Sequence, residues 1–167
     1  NTAQLAVEAA LTGHLVLSTL HTNDAPSAIT RLIEMGIEPF LVASAIDCIV
    51  AQRLTRTLCQ HCKRRTILSA QVMRDHGFGA LADIEAYEPV GCSRCGGSGY
   101  RGRTGLYEVM AVTEEIRELA IERASADRIA MVAVKQGMRR LREDGLEKVR
   151  QGRTSIAEVA RVTSSGA

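Results

Sequence analysis

Two pairs of cysteines, each separated by two residues, constrain the fold of this chain more than any other feature. Cys59 and Cys62 form the first pair, and Cys92 and Cys95 form the second, in a chain of 167 residues with five cysteines. Each C-x-x-C turn can present two thiolates to one half of a tetrahedral ion, so the two turns predict a structural four-cysteine zinc site. Four protein ligands leave no open position for water, which argues against a catalytic metal.

Other interpretations of the cysteines are weaker. Disulfides or free thiols are the main alternative, but no secretory signal pattern is present, which favours a metal. His61 lies inside the first turn, yet Cys62 completes the pair better. Cys48 stands apart, and we expect it to be buried in a helix. The stretch CSRCGGSG matches the C-x-x-C-x-G-x-G unit of the DnaJ-type chaperone zinc domain once, whereas that domain repeats the unit four times.

Hydrophobic patterning and composition predict three domains. They are an α/β core over residues 1–57, a cysteine module over 58–106 in which the sequence is glycine-rich, and a helical subdomain over 107–167. We expect a short strand at 106–110. The remaining predicted elements are a strand at residues 15–20 and helices at 3–11, 26–35, 39 to about 57, 114–123, 126–135, 141–151 and 155–162.

A cluster of polar residues follows the predicted strand at residues 15–20. Its nearly continuous apolar residues are typical of a buried parallel strand, and ligands bind beyond the carboxyl ends of such strands. Thr19, His21 and Thr22 are therefore candidates to donate hydrogen bonds to an oxyanion or a water. His14 lies at the opposite end of the strand. The alternative is that these residues only cap the next helix and satisfy loop amides.

Several classes of protein are disfavoured by composition. The chain has 21 basic and 19 acidic residues, five aromatic residues and no tryptophan, so a nucleic-acid-binding surface built on base stacking is not expected. The longest apolar stretch, residues 39–51, is too short to cross a membrane and contains Asp47. The chain contains no G-x-x-x-x-G-K-[ST] phosphate loop, so it does not build a nucleotide site by itself.

The sequence closely resembles the C-terminal part of the ATPases of type II secretion and type IV pilus assembly. The matching segments are TAQLAVEAALTGHLVLSTLHTNDAPSAITRLIEMG, PFLVASAIDCIVAQRLTRTLCQHCKRR, GCSRCGGSGYRGRTGLYEVMAVT and DGLEKVRQGRTSIAEVARVT. The resemblance covers almost the whole chain and is weakest over residues 66–88.

The resemblance implies a C-terminal remnant of a RecA-like, parallel-sheet ATPase core with an inserted tetracysteine zinc module and a helical tail. The full-length protein is then a hexamer at the cytoplasmic face of the inner membrane, which binds ATP and Mg²⁺ and contacts inner-membrane components of the machine. It neither spans the membrane nor binds nucleic acid. The phosphate loop lies before residue 1 in this reading, so we expect the chain alone to be inactive.

The resemblance also assigns roles to single residues. GHLVLSTLHT matches the family's histidine box, in which His14 and His21 are the two histidines and Thr19 and Thr22 flank the second. His21 is then expected to sense the γ-phosphate. Gln52 and Arg53 match the AQRL segment, which implies a nucleotide-sensing or interface role. The competing hypothesis is a free-standing, zinc-stapled module that binds protein or nucleic acid.

Overall fold

A computed structural model describes residues 2–79 and 82–164 as a mixed α/β fold. Two sheets of two strands each are present in this part of the chain. The elements in chain order are α1 (Thr2–Leu11), α2 (Pro26–Glu34), α3 (Pro39–Ala45), β1 (Cys48–Leu58), β2 (Arg64–Leu68), α4 (Ala70–Asp75), β3 (Ile84–Glu88), β4 (Tyr100–Ala111), α5 (Glu114–Ile121), α6 (Ala126–Lys135), α7 (Leu141–Arg150) and α8 (Ile156–Thr163).

The chain forms two compact units. The first unit holds the described residues up to Ala51 and those from Glu108 to Arg139. The second holds Gln52 to Tyr107 and the described residues from Arg140 onward. Strands β1 and β4 pair with each other and contribute residues to both units.

Strands β1 and β4 are antiparallel. The amide of Val112 donates to the carbonyl of Asp47 at 2.9 Å beyond one end of the pair, and the amide of Cys59 donates to the carbonyl of Gly99 at 2.9 Å beyond the other. Strands β2 and β3 are also antiparallel. No parallel pair is found among residues 2–79 and 82–164, so the RecA-like parallel sheet stays a prediction.

The first unit is a helical layer packed around the ends of two strands. Helix α3 packs against α1 and α5, and α2 packs against α6. Its core is built from small and branched apolar side chains: Val7, Ala25, Ile29, Ile37, Val42, Ala43, Met110, Val112, Ile116, Leu119, Ala120, Ile129, Ala133 and Met138. Their burial supplies most of the stabilising free energy of this unit.

The second unit packs the β2–β3 pair against α7, and α7 against α8. Gly145 makes the α7–α8 approach possible, because a Cβ at this position would lie 2.3 Å from Cγ1 of Val159. Among its buried side chains, Leu58, Leu106 and Val149 are at most 1% exposed.

The predicted strand at residues 15–20 is wrong in this structure. Residues 14–22 have no regular secondary structure, and the side chains of Leu15 and Leu17 are 89% and 87% exposed. The physical reason is the missing partner: a strand is stabilised by pairing of its backbone groups. No amide or carbonyl of residues 15–21 pairs with another backbone group in the described part of the chain.

The predicted helix from residue 39 to about 57 is also wrong beyond its first two turns. Helix α3 ends at Ala45, and β1 begins at Cys48. The segment after Ala45 is rich in β-branched residues, which pack well in strands, and β4 supplies the partner about 50 residues later. Cys48 is therefore an exposed strand residue and not a buried helix residue.

The predicted helices in the last third of the chain are all present. Three of them begin with a side-chain cap: the hydroxyls of Thr113, Ser125 and Ser155 accept hydrogen bonds from amides in the first turns of α5, α6 and α8. Gly137 and Gly152 adopt positive φ angles after α6 and α7, as expected for residues that end helices. No helix in the described part of the chain is long and apolar enough to span a bilayer.

Candidate metal centre

The first cysteine pair lies in a tight turn directly after β1. The amide of Lys63 donates to the carbonyl of Cys59 at 3.0 Å, and the amide of Cys62 donates to the same carbonyl at 3.3 Å. Cys59 itself is 1% exposed and is fixed against the opposite side of the module by its hydrogen bond to Gly99. The end of the strand thus fixes the direction of the first thiol.

The second pair lies at a single 3₁₀ turn, Ser93–Cys95, that precedes β4 and has Cys92 as its N-cap residue. The amide of Gly97 donates to the carbonyl of Cys92 at 2.9 Å. Gly91 has a φ of +108°, and a Cβ there would lie 2.5 Å from the carbonyl oxygen of Gly97. A glycine is therefore required for the turn to close on itself.

The four sulfurs converge on one point. The Sγ atoms of Cys59, Cys62, Cys92 and Cys95 all lie within 4.8 Å of one another. The Cys59–Cys92 and Cys62–Cys95 sulfur pairs are 3.9 Å apart, and the Cys92–Cys95 pair is 3.7 Å apart. A tetrahedron whose centre lies about 2.3 Å from each sulfur, the usual zinc–sulfur distance, has edges of about 3.8 Å. A disulfide requires about 2.05 Å instead.

Backbone amides point at two of the sulfurs. The amides of Cys92 and Gly99 each donate to Sγ of Cys95 at 3.2 Å, and the amide of Gly91 donates to Sγ of Cys62 at 3.3 Å. Such bonds stabilise thiolates, because an N–H dipole favours the charged form. The amides of Gly91, Cys92 and Gly99 therefore stabilise negative charge on the sulfur cluster.

The thiols of Cys62 and Cys95 differ in pKa because burial is offset by one amide hydrogen bond at Cys62 and by two at Cys95. Burial raises the pKa of Cys62 to about 11, and the Gly91 amide only partly offsets this. Burial also acts to raise the pKa of Cys95, but the amides of Cys92 and Gly99 outweigh it and lower the pKa to about 6. A cation at the centre removes the conflict, since it favours every thiolate at once.

His61 is not part of the cluster. Its ring lies 3.0 Å from a guanidinium nitrogen of Arg94, and both side chains are exposed. Among the described residues, the only group of three or more potential ligands within reach of one ion is the four cysteines. The structure thus brings together the four cysteines that the C-x-x-C spacing singled out, and their binding of zinc stays a prediction.

The sequence interpretation missed a buried carboxylate that binds β1, the strand that leads into the cysteine module. Glu158 on α8 has a side chain only 2% exposed. Arg161 donates to both of its oxygens at 3.1 and 2.9 Å, and Arg56 donates through Nη2 at 2.7 Å. The Arg56 guanidinium also lies 4.2 Å from the ring centre of Tyr100, which follows Gly99. The only sequence signal was its position three residues after Ser155, the spacing of a capping box.

The histidine-box residues belong to the first unit. Thr19 and His21 are exposed, and no side-chain hydrogen bond of either is found among the described residues. Thr22 donates through Oγ1 to the carbonyl of Asp24 at 3.0 Å. His14 is exposed at the end of α1, with Nδ1 3.0 Å from Oγ1 of Thr12. The structure thus places His21 beside Thr22 and leaves His14 with α1.

The two AQRL residues lie in the second unit, on β1. Gln52 is exposed and Arg53 is partly buried. They are consecutive strand residues, so their side chains point to opposite faces of the sheet.

Residues 1–161 match the sequence profile of the family described as "Type II/IV secretion system protein". The chain therefore belongs to this family. It is 48% identical over 161 residues to a type IV pilus assembly ATPase of Thermus thermophilus, covering 95% of this chain and 18% of that protein. It is 47% identical over 162 residues to the type II secretion system protein E of Aeromonas hydrophila, covering 97% of this chain and 32% of that protein.

Two solved structures share the fold at low sequence identity. The Legionella pneumophila ATPase DotB aligns with a TM-score of 0.60 and 21% identity, covering 96% of this chain and 35% of that one. The pilus retraction motor PilT, solved with bound ADP, aligns with a TM-score of 0.59 and 19% identity, covering 98% of this chain and 36% of that one. The chain thus spans about a third or less of the lengths of these relatives.

Proposed function

We propose that this chain is the zinc-bearing C-terminal part of a hexameric ATPase subunit that powers type II protein secretion or type IV pilus assembly. The observation that carries the proposal is a four-sulfur cluster within 4.8 Å in a chain whose residues 1–161 match the secretion family. The competing hypothesis, a free-standing zinc module, accounts only for the cysteine cluster. It gives no reason for a family match that extends far beyond the cysteines on both sides.

ATP hydrolysis is a property of the whole subunit. The 167 residues contain no phosphate loop, and in motors of this kind such a loop cradles the phosphates of ATP. ATP and Mg²⁺ therefore bind with sequence outside these residues, and the chain alone does not hydrolyse ATP.

The metal has a structural role. Cys59, Cys62, Cys92 and Cys95 hold one Zn²⁺, and all-thiolate coordination leaves no site for a substrate. The ion joins the turn that follows β1 to the turn that precedes β4. Because these turns have few apolar side chains of their own, the ion replaces a hydrophobic core at this end of the second unit.

The polar loop, residues 18–24, senses the phosphates. His21, Thr19 and Thr22 donate hydrogen bonds to the γ-phosphate, and hydrolysis removes those bonds. The exposure of Thr19 and His21 supports this role, since donors that face away from the protein are available to a ligand. His14 and Thr12 bond to each other at the end of α1, so His14 has the weaker case. Arg53, with Gln52, suits an interface or nucleotide contact, because its guanidinium donates two parallel hydrogen bonds.

The subunit works at the cytoplasmic face of the inner membrane, as a hexamer bound to inner-membrane components of the machine. Arg101 and Arg103 are exposed at the start of β4, beside the cysteine module. They are suited to contact an acidic partner there, whereas Arg64 and Arg65 are already paired with Glu88 and Glu85.

ATPase measurements on two lengths of the protein test the proposal. The 167-residue chain should show no turnover above background, and the longer protein that includes the phosphate loop should hydrolyse ATP. In the longer protein, His21→Ala should lower kcat by about 100-fold, the effect of losing one donor to a developing charge. His76→Ala, at a partly buried histidine after α4 and away from the polar loop, is the control.

Two results would count against it. Turnover by the 167-residue chain would mean that the nucleotide site is complete within it. If His21→Ala folds normally and its kcat is unchanged, the polar loop has a purely structural role.

A further inference from the structure

Glu108 is an acidic residue in the middle of an apolar stretch of β4. Its neighbours on the same face, Leu106 and Met110, are buried, and Glu108 itself is 1% exposed. Burial of a carboxylate is costly unless the charge is hydrogen-bonded. Its position therefore requires specific partners inside the first unit.

One hydrogen-bond partner of Glu108 lies 83 residues earlier in the chain. Oε1 of Glu108 accepts a hydrogen bond from the backbone amide of Ala25 at 2.9 Å, and Ala25 is 0% exposed. Ala25 is the N-cap residue of α2, and no side chain of its own caps that helix. A carboxylate at this end of a helix is favoured by the helix dipole as well as by the hydrogen bond.

The residue held by Glu108, Ala25, directly follows the polar loop. Within the loop, Thr22 donates to the carbonyl of Asp24, and Oδ1 of Asp24 accepts from the amide of Ser27 at 2.9 Å. These short-range bonds fix the shape of the loop between Thr22 and α2. The Ala25–Glu108 bond joins the segment that follows the loop to β4.

From this geometry we infer that Glu108 is a positioning residue for the polar loop. Its carboxylate holds Ala25 against β4 and thereby sets where His21 and Thr22 lie. It acts through the backbone and touches no nucleotide. The inference rests on the proposed phosphate-sensing role only for its effect on catalysis, because the positioning itself is a property of this chain.

Nuclear magnetic resonance of the 167-residue chain tests the positioning directly. Glu108→Gln keeps the shape of the side chain and removes its charge, which weakens the bond to the amide. We expect the Ala25 amide to exchange with solvent about tenfold faster in the variant, and the ring resonances of His21 to shift. Glu118→Gln, at an exposed glutamate of α5, should change neither.

The wild-type chain provides a second test that does not depend on the variant's folding. The Ala25 amide should exchange at least about 100-fold more slowly than an unstructured amide. Fast exchange in the wild type, or unchanged Ala25 and His21 resonances in a folded Glu108→Gln chain, would overturn the inference.

Kinetics of the longer ATPase separate this inference from the proposed function. Glu108→Gln should lower kcat by about tenfold with KM within about twofold, because a displaced loop affects the reacting geometry more than binding. Altered His21 resonances with unchanged kcat would uphold the positioning and reject the catalytic role of the loop. Equal losses of kcat in Glu108→Gln and Glu118→Gln would overturn the specific role of Glu108.

Discussion

The guanidinium of Arg56 on β1 donates a hydrogen bond of 2.7 Å to the buried carboxylate of Glu158 on α8, 102 residues further along the chain. The backbone amide of Arg56 donates to the same carboxylate at 2.9 Å. Through these bonds the last helix is fixed to the strand that precedes the first C-x-x-C turn.

Replacement of Glu158 by glutamine should destabilise the chain in a pH-dependent way. Burial acts to raise the pKa of Glu158, but the hydrogen bonds from Arg161 and Arg56 outweigh it and lower the pKa from 4.5 to about 2. The stabilising contribution, about 2–3 kcal/mol, is therefore complete above pH 4.5 and is lost as the pH falls towards 2. Urea unfolding at several pH values measures it as the difference between wild type and variant.

The control is Glu85→Gln. Glu85 pairs with Arg65 at 3.0 Å, but both side chains are more than 70% exposed, so its loss should cost less than about 0.5 kcal/mol at any pH. A wild-type–Glu158→Gln difference that stays constant from pH 7 to pH 2.5 would contradict the assigned ionisation.

Addition of one methyl group at Gly145 should destabilise the chain. In an exposed helix, Gly→Ala stabilises by about 1 kcal/mol, but here the new Cβ would meet Cγ1 of Val159 at 2.3 Å and Cδ1 of Leu106 at 3.3 Å. We expect a net loss of about 1–3 kcal/mol from overpacking. Thermal unfolding measures it, and Val159→Ala in the same chain should recover part of the loss. A stabilised Gly145→Ala chain would show that α7 and α8 are not this close.

Replacement of Arg123 by glycine should have the opposite effect. Arg123 follows α5 with a φ of +54°, the only non-glycine residue with positive φ in the described part of the chain. This backbone conformation is strained for a residue with a Cβ, and glycine is preferred after a helix end. We expect a gain of about 0.5–1 kcal/mol for Arg123→Gly and no gain for Arg123→Ala. Equal stabilities of the two variants would mean that the strain is negligible.

The parts of the fold that depend on local sequence were predictable. The four helices of the last third and the C-x-x-C turns depend on signals that act over a few residues, and each was found where the sequence placed it. The family resemblance was confirmed by the match over residues 1–161.

The errors concern structure that depends on distant partners. The segment after Ala45 has helical spacing of apolar residues, yet it pairs as β1 with β4, which lies about 50 residues away. Residues 15–20 have the composition of a strand but no pairing partner among the described residues. Glu158 was read only as part of a helix, and nothing local showed that Arg56 lies against it. Glu108 did carry a local signal, a single charge inside LYEVM.

The central claim, that four cysteines bind one structural zinc ion, is tested most directly by metal analysis of the purified chain. We predict about one zinc per chain, a loss of the metal and of thermal stability in Cys59→Ser, and no change in Cys48→Ser, because Cys48 lies outside the cluster. A folded wild-type chain without metal, or a Cys59→Ser chain as stable as wild type, would contradict the claim.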